Sequence, residues 1–124
     1  MSFEITAFYA SLLAILVVLL GTVTMIFRAK SDISFGYGEN FSLQKSIRSH
    51  GNLIEYAPIF LICMLFLENS GADTLWLHVI GTAFLIGRIA LAGYFQIKQL
   101  FMLRVLAFWL TMVPILALAI LLLT

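Results

Sequence analysis

Arg48, Asn52 and Glu55 stand at i, i+4 and i+7 in the stretch KSIRSHGNLIEYAPIFLICMLFL. On a helix, that spacing puts a cation, an amide and a carboxylate in one row on one face. Such a row has the chemistry of polar recognition. A guanidinium binds carboxylates or phosphates through paired hydrogen bonds. The amide donates to one group and accepts from another. The carboxylate suits an ammonium, a peptide N–H or a neighbouring Arg. The flanking residues are apolar enough to cross a membrane, so the row must face something other than lipid.

Glu55 and Arg88 meet that constraint most directly, because an ionised side chain at mid-membrane costs roughly 2.5–3.5 kcal/mol on insertion scales. They are expected at comparable depth on helices two and three. One reading makes them an interhelical ion pair that fixes packing. The other makes them part of a polar pocket. The second accounts for more residues: Arg48, Asn52, Glu55, Tyr56, Arg88, Tyr94 and Arg104 all fall in the same half of the membrane, and one pair needs only two of them.

That pocket is net positive and fits a zwitterionic, carboxylate-rich peptide. It has no evident nucleophile. Cys63 is expected deeper, toward the far leaflet, and Ser46 and Ser49 have only His50 as a base, itself expected at an exposed helix end. An enzyme built on this pocket would take its nucleophile from a co-substrate. A thiol fits, since a nearby guanidinium stabilises the thiolate.

Other motifs carry less. GYGEN at 36–40 follows no strand and is no phosphate loop. Asn40-Phe41-Ser42 matches a glycosylation sequon but lies on the predicted cytoplasmic side. His78 reads as a helix-end residue near the far interface, and no metal-ligand cluster is expected.

The elements that hold these residues follow from composition. Of 124 residues, 63% are hydrophobic and 10% charged, whereas a soluble domain carries about 25% charged residues. The chain is read as one all-α integral membrane domain, 1–124. A net charge of +1 sets up no field that would draw nucleic acid. Cys63 is alone and cannot form an internal disulfide. The N-terminal run lacks a basic signal-peptide region and is read as a retained helix.

Four apolar segments, approximately 5–27, 47–67, 75–95 and 105–123, are each about 20 residues, enough to cross a roughly 30 Å hydrocarbon core. The seven cations lie in or beside the first and third connections, 28–46 and 96–104; the middle connection, ENSGADT, has none. The positive-inside rule puts those two connections in the cytoplasm and both termini opposite. Pro58 and Pro114 each remove a backbone donor inside a helix; Pro58 either splays the cytoplasmic end of helix two or is simply tolerated. Ala10 with Ala14, and Ala83 with Gly87, permit close helix approach.

The segment GENFSLQKSIRSHGNLIEYAPIFL closely resembles the signature of the MAPEG superfamily, membrane-associated proteins in eicosanoid and glutathione metabolism. The most specific element is Arg48-x-x-x-Asn52-x-x-Glu55-Tyr56-x-Pro58; a looser one is Arg88 in helix three followed by Arg104 in RVLAFWLT. The chain is most similar to the short bacterial branch, which implies the inner membrane. The resemblance implies a homotrimer of four-helix subunits with glutathione, as co-substrate, between adjacent subunits near the cytoplasmic face. It assigns Arg48, Asn52, Glu55 and Tyr56 to glutathione, adds Arg28 as a basic helper, and has Arg88, with Tyr94 nearby, support the pocket. Arg104 matches the arginine that stabilises the glutathione thiolate, which would attack a lipophilic electrophile or reduce a lipid hydroperoxide.

The chain departs from the family pattern at Gly51, Leu91, Phe95 and Phe108, where relatives carry a basic, hydroxyl or imidazole group, and at Tyr37, where bacterial relatives often carry Asp. The thinned third helix gives weight to an alternative, a non-catalytic member that binds a lipid or a membrane partner. A small multidrug exporter fits worse: those embed a Glu in helix one, where this chain has only Glu4, at the end.

Overall fold

A computed structural model describes residues 3–96 and 101–124, with the side chains of 93–96, 101 and 103 outside that description. Four helices follow in order: α1 (Glu4–Ser31), α2 (Phe41–Asn69), α3 (Thr74–Gln96) and α4 (Phe101–Leu123). All four are long and apolar enough to cross a membrane. The chain is an all-helical integral membrane protein.

Two helices are longer than hydropathy alone predicts. α2 begins at Phe41, six residues before the apolar run, because the Asn40 side chain accepts a hydrogen bond from Leu43 N at 3.0 Å. That cap satisfies one of the helix's otherwise unpaired donors. Asn40 thus serves as a helix cap. α1 runs on to Ser31 and stops where Asp32 takes a left-handed conformation, φ 56°. At 1.5 Å per residue, about 20 residues fill the hydrocarbon core. Counted back from the Asn69 end, that leaves the first turns of α2 outside it. Arg48 falls near the interface, and Asn52 and Glu55 one and two turns inside. Both Pro58 and Pro114 sit within unbroken helices.

α2 is the hub. It packs on α1, α3 and α4, while α1 also meets α3 and α3 meets α4. The stripe Leu53, Ala57, Phe60, Met64 and Leu67 is buried, following the 3–4 residue spacing of one helix face. At its centre Phe60 stacks on Phe84 of α3, centroids 3.9 Å apart and planes 4° from parallel. The opposite faces present large apolar side chains outward, among them Val18, Leu19, Ile59, Phe66, Ile86, Leu116 and Ile120. Such continuous exposed apolar surface suits lipid and would be a liability in water.

The end away from the arginines is tied by a carboxylate. Glu68, at the end of α2, accepts from Ile5 N (2.9 Å), Thr6 N (2.8 Å) and the Thr6 hydroxyl (2.7 Å) at the start of α1. It satisfies free amides and places negative charge at the positive end of the α1 dipole. Nearby, the Tyr9 hydroxyl lies 2.9 Å from His78 Nδ1 and 3.0 Å from Thr82 Oγ1. His78 therefore anchors α1 to α3, a role its helix-end position did not disclose. Cys63 is half-buried against the core.

His50 differs from expectation. It is half-buried, with its ring beside Gly21 of α1, where an added β-carbon would lie 3.3 Å from Nε2. The cause is the earlier start of α2, which moves His50 from the helix end into its third turn, on the α1 side. Ser46, on the same side, bonds Thr24 of α1 at 2.6 Å.

Candidate functional site

On helix α2 the row forms as the spacing predicts. Arg48 Nη2 donates to Asn52 Oδ1 and Arg48 Nη1 to Glu55 Oε1, each at 3.3 Å. Both charged side chains are half exposed. The three groups are thus preset along one helix, with half of each charged side chain open to a ligand or a neighbouring subunit. Gly51 stands beside the pair: a β-carbon there would make ordinary contact, 3.5 Å from Arg48 Nη1 and 3.9 Å from Glu55 Oε1.

Next to the row, α2, α3 and α4 enclose a pocket of about 240 Å³ lined by Asn52, Tyr56, Arg88, Leu91, Arg104, Phe108 and Met112. Four expected site residues, Asn52, Tyr56, Arg88 and Arg104, thus converge from three helices. Burial grades through it: Arg104 is exposed, Asn52 and Tyr56 half-buried, and Arg88 only 4% exposed. Its two lining charges are both guanidiniums, so the cavity is positive and favours an anion.

Arg88 is held from three sides. Its Nη2 donates to the hydroxyl of Thr111 in α4. Its guanidinium carbon lies 5.5 Å from the centroid of the Tyr56 ring and 5.9 Å from that of Phe84, both within cation–π range. Its Nε and Nη1 are buried without a hydrogen-bond partner. The Glu55–Arg88 ion pair is not formed; Glu55 turns to Arg48 and Arg88 to Thr111.

Two further expectations fall elsewhere. Arg28 closes the first connection by donating to the carbonyls of Ile33 (3.2 Å) and Gly36 (2.8 Å) and lines a different hollow with Asp32 and Ser34. It is apart from the α2–α3–α4 pocket within one chain. The side chains of Tyr94 and Phe95 lie outside the described residues. Thr111 was missed. Its signal was present, since it stands seven residues after Arg104, on the same face of an otherwise apolar helix. Among the described residues no group of His, Cys, Asp and Glu could hold a metal.

Fold and site together define a four-span membrane protein with an arginine-lined pocket among its second, third and fourth helices. The profile of the MAPEG family matches residues 6–124, and the chain belongs to that family. It is 38% identical over 85 residues to Inner membrane protein YecN of Escherichia coli strain K12, a stretch that covers 68% of this chain and 65% of the relative. Its counterpart in Escherichia coli O6:H1 strain CFT073 matches equally. The chain thus covers just under two thirds of these relatives' length. No solved structure matches it.

Proposed function

We propose that the chain is a membrane-embedded, glutathione-dependent transferase or peroxidase, acting on lipophilic electrophiles or lipid hydroperoxides as a homotrimer in the bacterial inner membrane. The observation that carries this is the convergence of Asn52, Tyr56, Arg88 and Arg104 on one pocket beside the Arg48–Glu55 row. The donor set suits glutathione. Arg48 and Asn52 suit its carboxylates and Glu55 its ammonium, while Arg88 lines the pocket and adds positive charge. Arg104, at the open end, is assigned the thiolate, where charge and hydrogen bonding favour the ionised sulfur. In conjugation the sulfur bonds to an electrophilic carbon as the leaving group departs. In peroxide reduction two thiols become a disulfide while the hydroperoxide becomes an alcohol and water. Family membership supports the co-substrate, and the name of the relatives supports the inner membrane. The half-exposed charges of α2 support a neighbouring subunit that shields them from lipid, and Arg28, remote in one chain, would reach glutathione only across such an interface.

A non-catalytic, lipid-binding role is favoured by one observation. Leu91 and Phe108, the departures in helices three and four, do line the pocket with Met112. The wall that would hold hydroxyls is apolar.

Calorimetry and thiolate ultraviolet absorbance on the purified protein test the proposal. Glutathione is expected to bind at millimolar concentration or below, and Arg104→Ala to remove the thiolate signal more than the binding. Absence of binding sinks the glutathione reading, and loss of both signals equally contradicts the role of Arg104. Turnover of an aryl halide or hydroperoxide separates enzyme from binding protein.

A further inference from the structure

On the outward face of α3 and α4 a groove of about 280 Å³ runs beside Val79, Ala83, Trp109, Val113, Pro114 and Ala117. Its lining is apolar, and the small side chains of Ala83 and Ala117 give it depth. Small-molecule sites usually measure roughly 300–1,000 Å³, so the groove suits a single hydrocarbon chain. A second hollow, lined by His78, Thr82 and Ile86, shares Val79, Ala83 and Leu110 with the first. The two form one trough, apolar along its length and polar at its mouth. Exposed Trp76, in the first turn of α3, stands beside that mouth, and tryptophans at helix ends mark headgroup depth.

The mouth is an acceptor. The Tyr9 hydroxyl has three partners: the His78 carbonyl at 3.1 Å, His78 Nδ1 at 2.9 Å and Thr82 Oγ1 at 3.0 Å. A carbonyl only accepts, so all three bonds form together in one way. Tyr9 donates to the carbonyl, and its lone pairs accept from Nδ1–H and from the Thr82 hydroxyl. The proton on Nδ1 leaves Nε2 of the neutral ring as an acceptor, and Nε2 bonds to no described residue. His78 and Thr82 are both exposed and stand one turn apart on one face. The charge around them is negative. Glu4, Glu68 and Asp73 lie at this end and the seven Lys and Arg toward the other, and Glu68 is within electrostatic reach of His78. Such a field favours a cation.

We propose that this trough is a binding site for an aminophospholipid of the surrounding bilayer. One acyl chain lies in the α3–α4 groove, and the primary ammonium of the head donates to His78 Nε2 and Thr82 Oγ1. The site lies apart from the arginine-lined pocket and stands whether or not glutathione binds there.

The test uses the full-length protein with Trp76→Phe, which leaves Trp109 as its one tryptophan, in phosphatidylcholine nanodiscs. Phosphatidylethanolamine, phosphatidylcholine or phosphatidylglycerol with brominated chains is titrated in, and bromine in the groove quenches Trp109. Phosphatidylethanolamine should reach half-maximal quenching at about a tenfold lower mole fraction than phosphatidylcholine, whose ammonium has no N–H. Tenfold is the scale of one hydrogen bond to a charged group. His78→Asn supplies an amide N–H in place of Nδ1–H and removes Nε2, so it should erase that preference. Ala83→Leu fills the groove and should weaken quenching by every lipid. Equal quenching by the three lipids is ordinary bilayer contact and overturns the proposal. So does a preference for phosphatidylglycerol, which would make the mouth an anion site. Quenching by none of them shows that protein covers the trough, and also overturns it. Preference retained in His78→Asn removes His78 from the site, and unchanged quenching in Ala83→Leu removes the groove. The lipid ranking in the parent needs neither variant, so a folding defect in one leaves the test intact.

Discussion

The ring of Tyr9 in α1 crosses Gly81 in α3 so closely that a β-carbon on residue 81 would lie 2.6 Å from it. The ring cannot simply move aside, because its hydroxyl is tied to His78 and Thr82 of the same helix. Gly81→Ala should therefore destabilise the fold by about 1–3 kcal/mol, the usual cost of overpacking. Tyr9→Phe, which frees the ring, should recover part of that loss in the double variant. Thermal unfolding in detergent checks both, and a parental midpoint for Gly81→Ala would contradict the packing described.

Glu68 joins the end of α2 to the start of α1, two points far apart in the sequence and side by side in the fold. Its two oxygens serve three donors at the start of α1. Glu68→Gln keeps the shape but removes the charge and one accepting oxygen. About 1 kcal/mol of local stability should be lost, the usual value of a helix cap with its dipole interaction. Hydrogen exchange of the amides of Ile5 and Thr6 should rise several-fold, with no change in Arg48, Asn52 or the pocket.

Arg48 and Glu55 separate binding from stability. Both partners stand on α2, so Glu55→Gln should leave the packing between helices, and the thermal midpoint, near the parent's. If Glu55 holds the ammonium of glutathione, the same change should weaken affinity about tenfold or more, since hydrogen bonds to charged groups are the costly ones to lose. Calorimetry on Glu55→Gln decides it: unchanged affinity removes Glu55 from the site.

Orientation can be read by thiol labelling in a Cys63→Ser background. Phe35 is 92% exposed in the connection after α1, and Asn69 is exposed at the end of α2. The charge distribution predicts that Phe35→Cys reacts with an impermeant maleimide only after the inner membrane is opened, and that Asn69→Cys reacts in intact spheroplasts. The opposite pattern would reverse the orientation and put the pocket on the periplasmic side.

Much of the architecture was legible before the structure. The number of helices and their apolar cores follow from runs that water would reject. The row on α2 follows from spacing alone, because 3.6 residues per turn bring Arg48, Asn52 and Glu55 to one face whatever the neighbours do. The helix ends were less legible. Asn40 begins α2 by one side-chain hydrogen bond, and hydropathy does not register such a bond. The same short-range event moved His50 from an expected end position to the α1 contact.

The partner of each buried charge was decided only in three dimensions. Charge and depth alone left two readings of Glu55 and Arg88, an interhelical ion pair or a share in a polar pocket, and favoured the pocket. The fold turns them apart, because Arg48 reaches Glu55 along its own helix while Thr111, from α4, meets Arg88. Four membrane spans, and arginines gathered toward one end of them, can be read from the residues in order. Those properties are sums over residues or repeats along one helix. Which arginines share a cavity, the place of Arg28 apart from it, and the burial of Arg88 with two unpaired donors come from packing in three dimensions. Those depend on the rotation of one helix against another, which rests on contacts such as Phe60 on Phe84, Tyr9 on Gly81 and Gly87 against Leu110 of α4 rather than on any local pattern.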